Sequence, residues 1–141
     1  MLNFVIRVLV AGVVGLIIGL FTTNARRARM FGLVTAAACL ITITSTEFYK
    51  EVAGPWFSDP GRLSAQIVSA LGFIGTGLIW ISSDKQVRGL SEAASLWLTA
   101  IVGMLIGAGL GHLSTSAVLV ILLIYWATEN IMKWKKMDKG G

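Results

Sequence analysis

The side chains with chemistry to offer are few. Asp59 and Arg62 stand at the head of an apolar run that carries Gln66, Ser69 and Thr76, and Arg88, Ser95 and Thr99 follow it. Histidine and cysteine occur once each, as His112 and Cys39. They supply neither a disulfide nor the convergent ligands of a transition-metal site, so His112 reads as a solvated turn residue and Cys39 as a small buried packing residue. No carboxylate pair, nucleophile with a base, or phosphate loop can be assembled. Gly72-Phe73-Ile74-Gly75-Thr76-Gly77 has the glycine density of a nucleotide loop, but it lies inside an apolar run with no soluble strand ahead of it. The expectation is a protein that is not an enzyme and holds no cofactor. For a divalent cation the available carboxylates are Asp59, Glu47 and Glu51 on one side and Glu92, Asp84 and Glu129 on the other. Mg²⁺ keeps several waters and needs only one or two carboxylates, so weak binding at Asp59, with Arg62 and Arg88 as further ion contacts, is chemically open. The plainer role for Asp59 is a helix cap paired with Arg62 one turn on.

Composition decides the class. Of 141 residues, 55% are hydrophobic and 13% charged, with a mean hydropathy of +0.78, which excludes a water-soluble domain of this size. The net charge of +5 comes from basic residues placed between and after apolar runs. That is the pattern of cytoplasmic loops, and nucleic acid is not an expected partner.

Five apolar runs, about residues 2–21, 31–48, 63–81, 93–110 and 113–127, predict an all-α integral membrane protein, a bundle of five transmembrane helices. Residues 1–132 form the transmembrane domain, and 133–141 a basic cytoplasmic tail too short to fold. The first run lacks a small-x-small cleavage site and is followed by Arg26, Arg27 and Arg29, so it reads as retained, with Arg7 near its start reaching the headgroups. Putting these arginines with Lys85, Arg88 and the tail lysines on one side places the N-terminus outside and the C-terminus in the cytoplasm. Pro55, Pro60, Gly54 and Gly61 mark a long loop, with Trp56 and Phe57 at the interface, where Tyr125, Trp126 and Trp134 anchor the last span. A short turn around His112 to Ser114 makes the fourth and fifth spans an antiparallel hairpin.

Three spans carry small residues at helical spacing. Ala11, Gly15 and Gly19 repeat on the first, and Gly103, Gly107 and Gly111 on the fourth. On the third, at about 100° per residue, Ala65, Ser69, Gly72 and Thr76 fall on one stripe with Gln66 and Gly77 beside it. Such faces let helix backbones approach closely where lipid offers no hydrophobic contrast. The third stripe is either a packing face inside the bundle or a path for a polar solute or ion. Gln66 is tolerable as an interhelical contact, since such hydrogen bonds average about 0.6 kcal/mol. A charge at mid-bilayer costs about 2.5 to 3.5 kcal/mol, and no Asp, Glu or Lys lies centrally in any span.

Asp59-Pro60, Arg62, Ala65-Gln66-Ile67-Val68-Ser69, Gly72-Phe73-Ile74-Gly75, Gly77, Val87-Arg88-Gly89-Leu90 and Ala93-Ala94-Ser95-Leu96-Trp97 together resemble the MgtC/SapB family of bacterial inner-membrane proteins. Gly15 to Gly19, Gly32-Leu33 and Thr35 extend the likeness over nearly all the membrane part. The resemblance implies a multi-pass protein of the bacterial inner membrane, with five spans and a cytoplasmic C-terminus. It implies a role in growth under magnesium limitation and, in pathogens, in survival within macrophages. The founding member is regarded as a regulator that restrains the proton-driven ATP synthase through contacts in the membrane. Its soluble C-terminal domain is not expected in this chain. Members usually carry an acidic residue just after the first span and an arginine where this chain has Val34; Thr22 or Thr23 stands at the acidic place, and Glu92 replaces a small hydroxyl or amide residue.

The candidate partner-binding residues are therefore Ala65, Gln66, Ser69, Gly72, Gly75, Thr76, Gly77, Ala94, Ser95 and Trp97. The expected partners are membrane lipid, further copies of the chain in a homo-oligomer, and a membrane complex such as the ATP synthase. The alternative is a small oligomeric transporter or channel for Mg²⁺ or another ion, its path lined by Gln66, Ser69, Thr76, Ser95 and Thr99.

Overall fold

The computed structural model describes residues 2–52, 59, 61–109 and 111–138. The expectations for Trp56, Phe57 and Pro60, and for the side chains of Glu51, Glu129, Trp134 and the tail lysines, lie outside the described residues. Among the described residues five helices follow in order: α1 (Leu2–Thr22), α2 (Ala25–Val52), α3 (Gly61–Thr76), α4 (Leu90–Ala108) and α5 (His112–Asp138). Between α3 and α4 lie two short strands, β1 (Trp80–Ile81) and β2 (Val87–Arg88). The all-α architecture is as expected. Three helices, over Asn3–Thr22, Ala25–Lys50 and Leu90–Ala108, are long and apolar enough to cross a membrane, while His112–Thr128 is a shorter apolar helix.

Boundaries differ from expectation for local reasons. The α1–α2 turn is only Thr23-Asn24, and Asn24 starts α2 early by accepting the Arg27 N–H on its side-chain oxygen at 3.2 Å and the Ala28 N–H on its carbonyl at 3.0 Å. The arginines expected in a loop thus occupy the first turns of a helix. The third helix does not run to Ile81. It stops at Thr76, passes through a turn in which Gly77, Leu78 and Ile79 donate to Ile74, Gly75 and Thr76, and the residues beyond pair antiparallel as Trp80 with Arg88 and Ile81 with Val87. The expected polar loop is therefore a β-hairpin. The α4–α5 turn sits at Gly109 and Gly111, both with positive φ, so His112 begins α5 rather than forming the turn. At the other end α5 continues to Asp138, and the expected tail begins as the last turns of a helix.

The core is the junction of α1, α2 and α4, and it is built on close approach. Thr35 of α2, fully buried, turns its hydroxyl back to the Phe31 carbonyl at 2.7 Å. Gly15 of α1 meets Thr35 from one side: a Cβ there would collide with the Thr35 side chain and stand 2.7 Å from the Phe31 carbonyl. Gly103 of α4 meets it from the other, where a Cβ would strike the Thr35 backbone. Gly19 packs on Ala28, and Gly107 on the Cys39 carbonyl. Ala11 and Cys39 are both fully buried, with Ile43 beside them. Gly15 and Gly19 of α1 and Gly103 and Gly107 of α4 are thus filled within the chain, whereas Gly111, expected to continue the second stripe, lies beyond the end of α4 and a Cβ there would meet nothing within 4 Å. Helix α3 packs on α2 and α4 with Ile67 and Leu71, which join Ala38 and Ala100 in one apolar cluster.

Candidate functional site

The region singled out by the sequence is the unit α3–hairpin–α4, and local chemistry holds it in shape. Asp59 caps α3: its carboxylate accepts the Gly61 N–H at 2.8 Å and its carbonyl the Arg62 N–H at 3.1 Å. The expected Asp59–Arg62 ion pair is not among those of the described residues, which are Arg27–Glu92, Lys50–Glu47 and Arg88–Asp84. At the far end, Gly89 has φ +83° and lies against the Leu78 carbonyl so closely that no Cβ fits. Only glycine serves both demands. Its carbonyl accepts the Ala93 N–H at 2.9 Å, which starts α4.

Within the hairpin, Arg88 reaches Asp84 at 3.3 Å across the turn. The Ser82 hydroxyl, the Gln86 N–H and Arg88 together hold the Asp84 carboxyl below its ordinary value. Arg88 thus has one partner within the hairpin, with its side chain 55% exposed. Trp80, Ile81 and Val87 remain exposed.

The stripe on α3 does not pack inside the chain. Ile67, Leu71 and Gly75 are the buried residues of this helix, with Ala93 next to Gly75. Ala65, Gln66, Ser69, Gly72, Thr76 and Gly77 are all exposed, and a Cβ at Gly72 would meet nothing within 4 Å. Helical periodicity identifies which residues share a face; it does not say which face meets a neighbour. The larger apolar side chains of Ile67 and Leu71, about 170° and 130° round the helix from the stripe at about 100° per residue, take the contact because they bury more surface. Hydroxyls on the stripe are turned inward, Ser69 to the Ala65 carbonyl at 3.3 Å and Thr76 to that of Phe73 at 2.7 Å.

Of the α4 candidates, Ala94 is exposed, Trp97 is 41% exposed and Ser95 half-buried. Thr99 is buried and donates to the Ser95 carbonyl, which the Tyr125 hydroxyl also approaches at 3.5 Å. The polar residues proposed to line a path are therefore separated: Gln66, Ser69 and Thr76 lie on the outer face of α3, and Thr99 in the core.

The strongest polar contact was not legible in the sequence. Both carboxylate oxygens of Glu92 accept from Arg27 Nη1, at 2.8 and 2.9 Å, and the Thr23 hydroxyl stands 3.5 Å away. This ties the α1–α2 turn to the start of α4. Thr23, one of the two threonines read at the place after the first span, thus faces Glu92, while Val34 packs on the apolar cluster of Ala38, Ile67, Leu71 and Ala100. No group of three or more His, Cys, Asp or Glu side chains able to hold a metal occurs among the described residues.

Comparison with known proteins bears on this arrangement directly. Residues 8–134 match the model of the MgtC family. The chain is 36% identical over 122 residues to Protein MgtC of Salmonella typhimurium, covering 86% of this chain and 51% of that one. It is 42% identical over 118 residues to Protein MgtC of Brucella abortus, covering 81% and 48%. An uncharacterised protein of Haemophilus influenzae is 31% identical over 134 residues, 91% of this chain and 56% of the relative. The chain thus spans about half the length of the curated relatives it matches. No solved structure matches.

Proposed function

The chain belongs to the MgtC family, and we propose that it is a non-enzymatic regulator in the bacterial inner membrane, serving adaptation to low magnesium. It acts by helix contact with a membrane partner, the ATP synthase being the first to test, and it inserts with its N-terminus outside and its C-terminus in the cytoplasm. The observation that carries this reading is the open stripe of α3. Ala65, Ser69, Gly72 and Thr76 have the spacing that brings helices close, the equivalent glycines of α1 and α4 are occupied, and these are exposed. Gln66 beside them offers one polar contact of the sort that fixes register between helices.

The test is Gly72→Leu, which fills the stripe at a position where an added Cβ meets nothing within 4 Å. Co-purification of the ATP synthase from native membranes, or of a tagged second copy, should be lost while insertion is retained. Undiminished co-purification removes the reading. Magnesium flux into liposomes that falls in Gln66→Leu would replace it with ion conduction by an oligomer.

A further inference from the structure

A cavity of about 330 Å³ opens between α1, the α4–α5 turn and the first turns of α5, with no residue of α3 in its lining. Val10 and Val14 of α1 and Val118 and Leu119 of α5 line most of it. Arg7 closes one end, with Ser114 and Thr115.

Among the described residues Arg7 makes one hydrogen bond. Its Nη1 donates to the Gly107 carbonyl at 3.5 Å, the limit of a hydrogen bond. The guanidinium also lies flat on Gly109, where a Cβ would stand 2.5 Å from Nη1. It belongs to none of the three ion pairs among the described residues, and Glu47, at the corresponding end of α2, is engaged by Lys50 at 2.8 Å. A guanidinium has five donors, and among the described residues one of them is engaged, at the end of the cavity that Arg7 shares with Ser114 and Thr115. The two hydroxyls have a different bias. Ser114 donates to the Leu105 carbonyl at 2.6 Å and Thr115 to that of Gly111 at 3.1 Å. With those protons committed, both oxygens meet a ligand as acceptors.

Depth selects the source of the anion. Arg7 lies in the first turns of the apolar helix Asn3–Thr22, where an arginine reaches headgroup level. Val10 and Leu119, at 46% and 61% exposed, leave the cavity open sideways along those apolar helices. We propose that this cavity binds an acidic phospholipid whose headgroup carries hydroxyls. The phosphate pairs with Arg7, the headgroup hydroxyls donate to Ser114 and Thr115, and one acyl chain lies over Val10, Val14, Val118 and Leu119.

Native mass spectrometry of the 141-residue chain in detergent, titrated with phosphatidylglycerol, tests this, with phosphatidylcholine and inorganic phosphate as controls. Phosphatidylglycerol should bind in preference to phosphatidylcholine. Arg7→Gln should weaken it about tenfold to a hundredfold, the scale of losing charge-assisted hydrogen bonds; Arg7→Lys should retain part of the affinity. Val118→Trp, which fills the acyl end and leaves Arg7 in place, should remove the lipid too and decides the matter if Arg7→Gln does not fold. Equal binding of the two lipids, or no loss in Val118→Trp, overturns the proposal. Displacement by inorganic phosphate at concentrations comparable to the lipid's also overturns it, in favour of a small-anion site. Gly72→Leu should bind the lipid normally, so failure of the partner reading leaves this result intact.

Discussion

Two substitutions of identical chemistry, Gly103→Ala and Gly72→Ala, should have opposite effects. Each adds one methyl to a helical glycine, and each gains about 0.5 to 1 kcal/mol from restricting the unfolded backbone. At Gly103 the new Cβ meets the Thr35 backbone, with the carbonyl carbon at 3.0 Å and Cα at 3.1 Å. A backbone cannot rotate away as a side chain can, so the overpacking cost lies at the upper end of about 1 to 3 kcal/mol. The net result is destabilisation by about 2 kcal/mol. At Gly72 nothing lies within 4 Å, so the variant should equal the wild type or exceed it by up to about 1 kcal/mol. Equilibrium unfolding in mixed micelles, followed by far-ultraviolet circular dichroism at dilutions where the chain is monomeric, separates the two. Similar losses for both, or a neutral Gly103→Ala, would refute the assignment of one glycine face to the core and the other to the surface.

Glu92→Gln should cost about 0.5 to 1 kcal/mol in the same assay, because Arg27 is 48% exposed and the pair is solvent-screened. In a double-mutant cycle Arg27→Gln should add little once Glu92 is changed, and the coupling should shrink in about 0.5 M salt. Gly89→Ala places a side chain at φ +83° against the Leu78 carbonyl and should cost more than about 2 kcal/mol, displacing the Trp80 indole signal in a nuclear magnetic resonance spectrum. Because the folded-state pKa of Asp84 is lowered, its contribution to the hairpin is present above the ordinary value of 3.8 and is lost as pH falls through the lower folded value. Hairpin chemical shifts should therefore hold steady from about pH 8 to about pH 5 and move only in stronger acid.

Helix number was legible because apolar runs of membrane length have few readings. The glycine faces of α1 and α4 were legible as well, since Gly15, Gly19, Gly103 and Gly107 all meet neighbouring helices. The end of α3 was not. Leu78-Ile79-Trp80-Ile81 continues the hydrophobicity of the helix, and composition hides the change from helical pitch to paired strands. The β-branched and aromatic residues on either side of Ser82 to Gln86 were the available hint of a hairpin. Asn24, just ahead of Ala25, was an available capping signal. Arg27–Glu92 left no trace, because a contact between residues so far apart in the chain has no local pattern.

Helix α4 is gripped near both ends by arginines from other helices: Glu92 is held by Arg27, and the Gly107–Gly109 end by Arg7. Between Glu92 and Gly107 the helix rises about 22 Å, and each added residue shifts one end by about 1.5 Å and swings it by about 100°. The two arginines therefore mark one helix length, each through a weak contact: the Arg27–Glu92 pair is solvent-screened and the Arg7–Gly107 bond stands at 3.5 Å. A residue inserted or deleted in this stretch must break one grip, whereas a residue added at the hairpin tip, near Lys85, changes neither. A change of length in this stretch should therefore cost about 0.5 to 1 kcal/mol for the solvent-screened Arg27–Glu92 pair, beside whatever the bilayer thickness imposes.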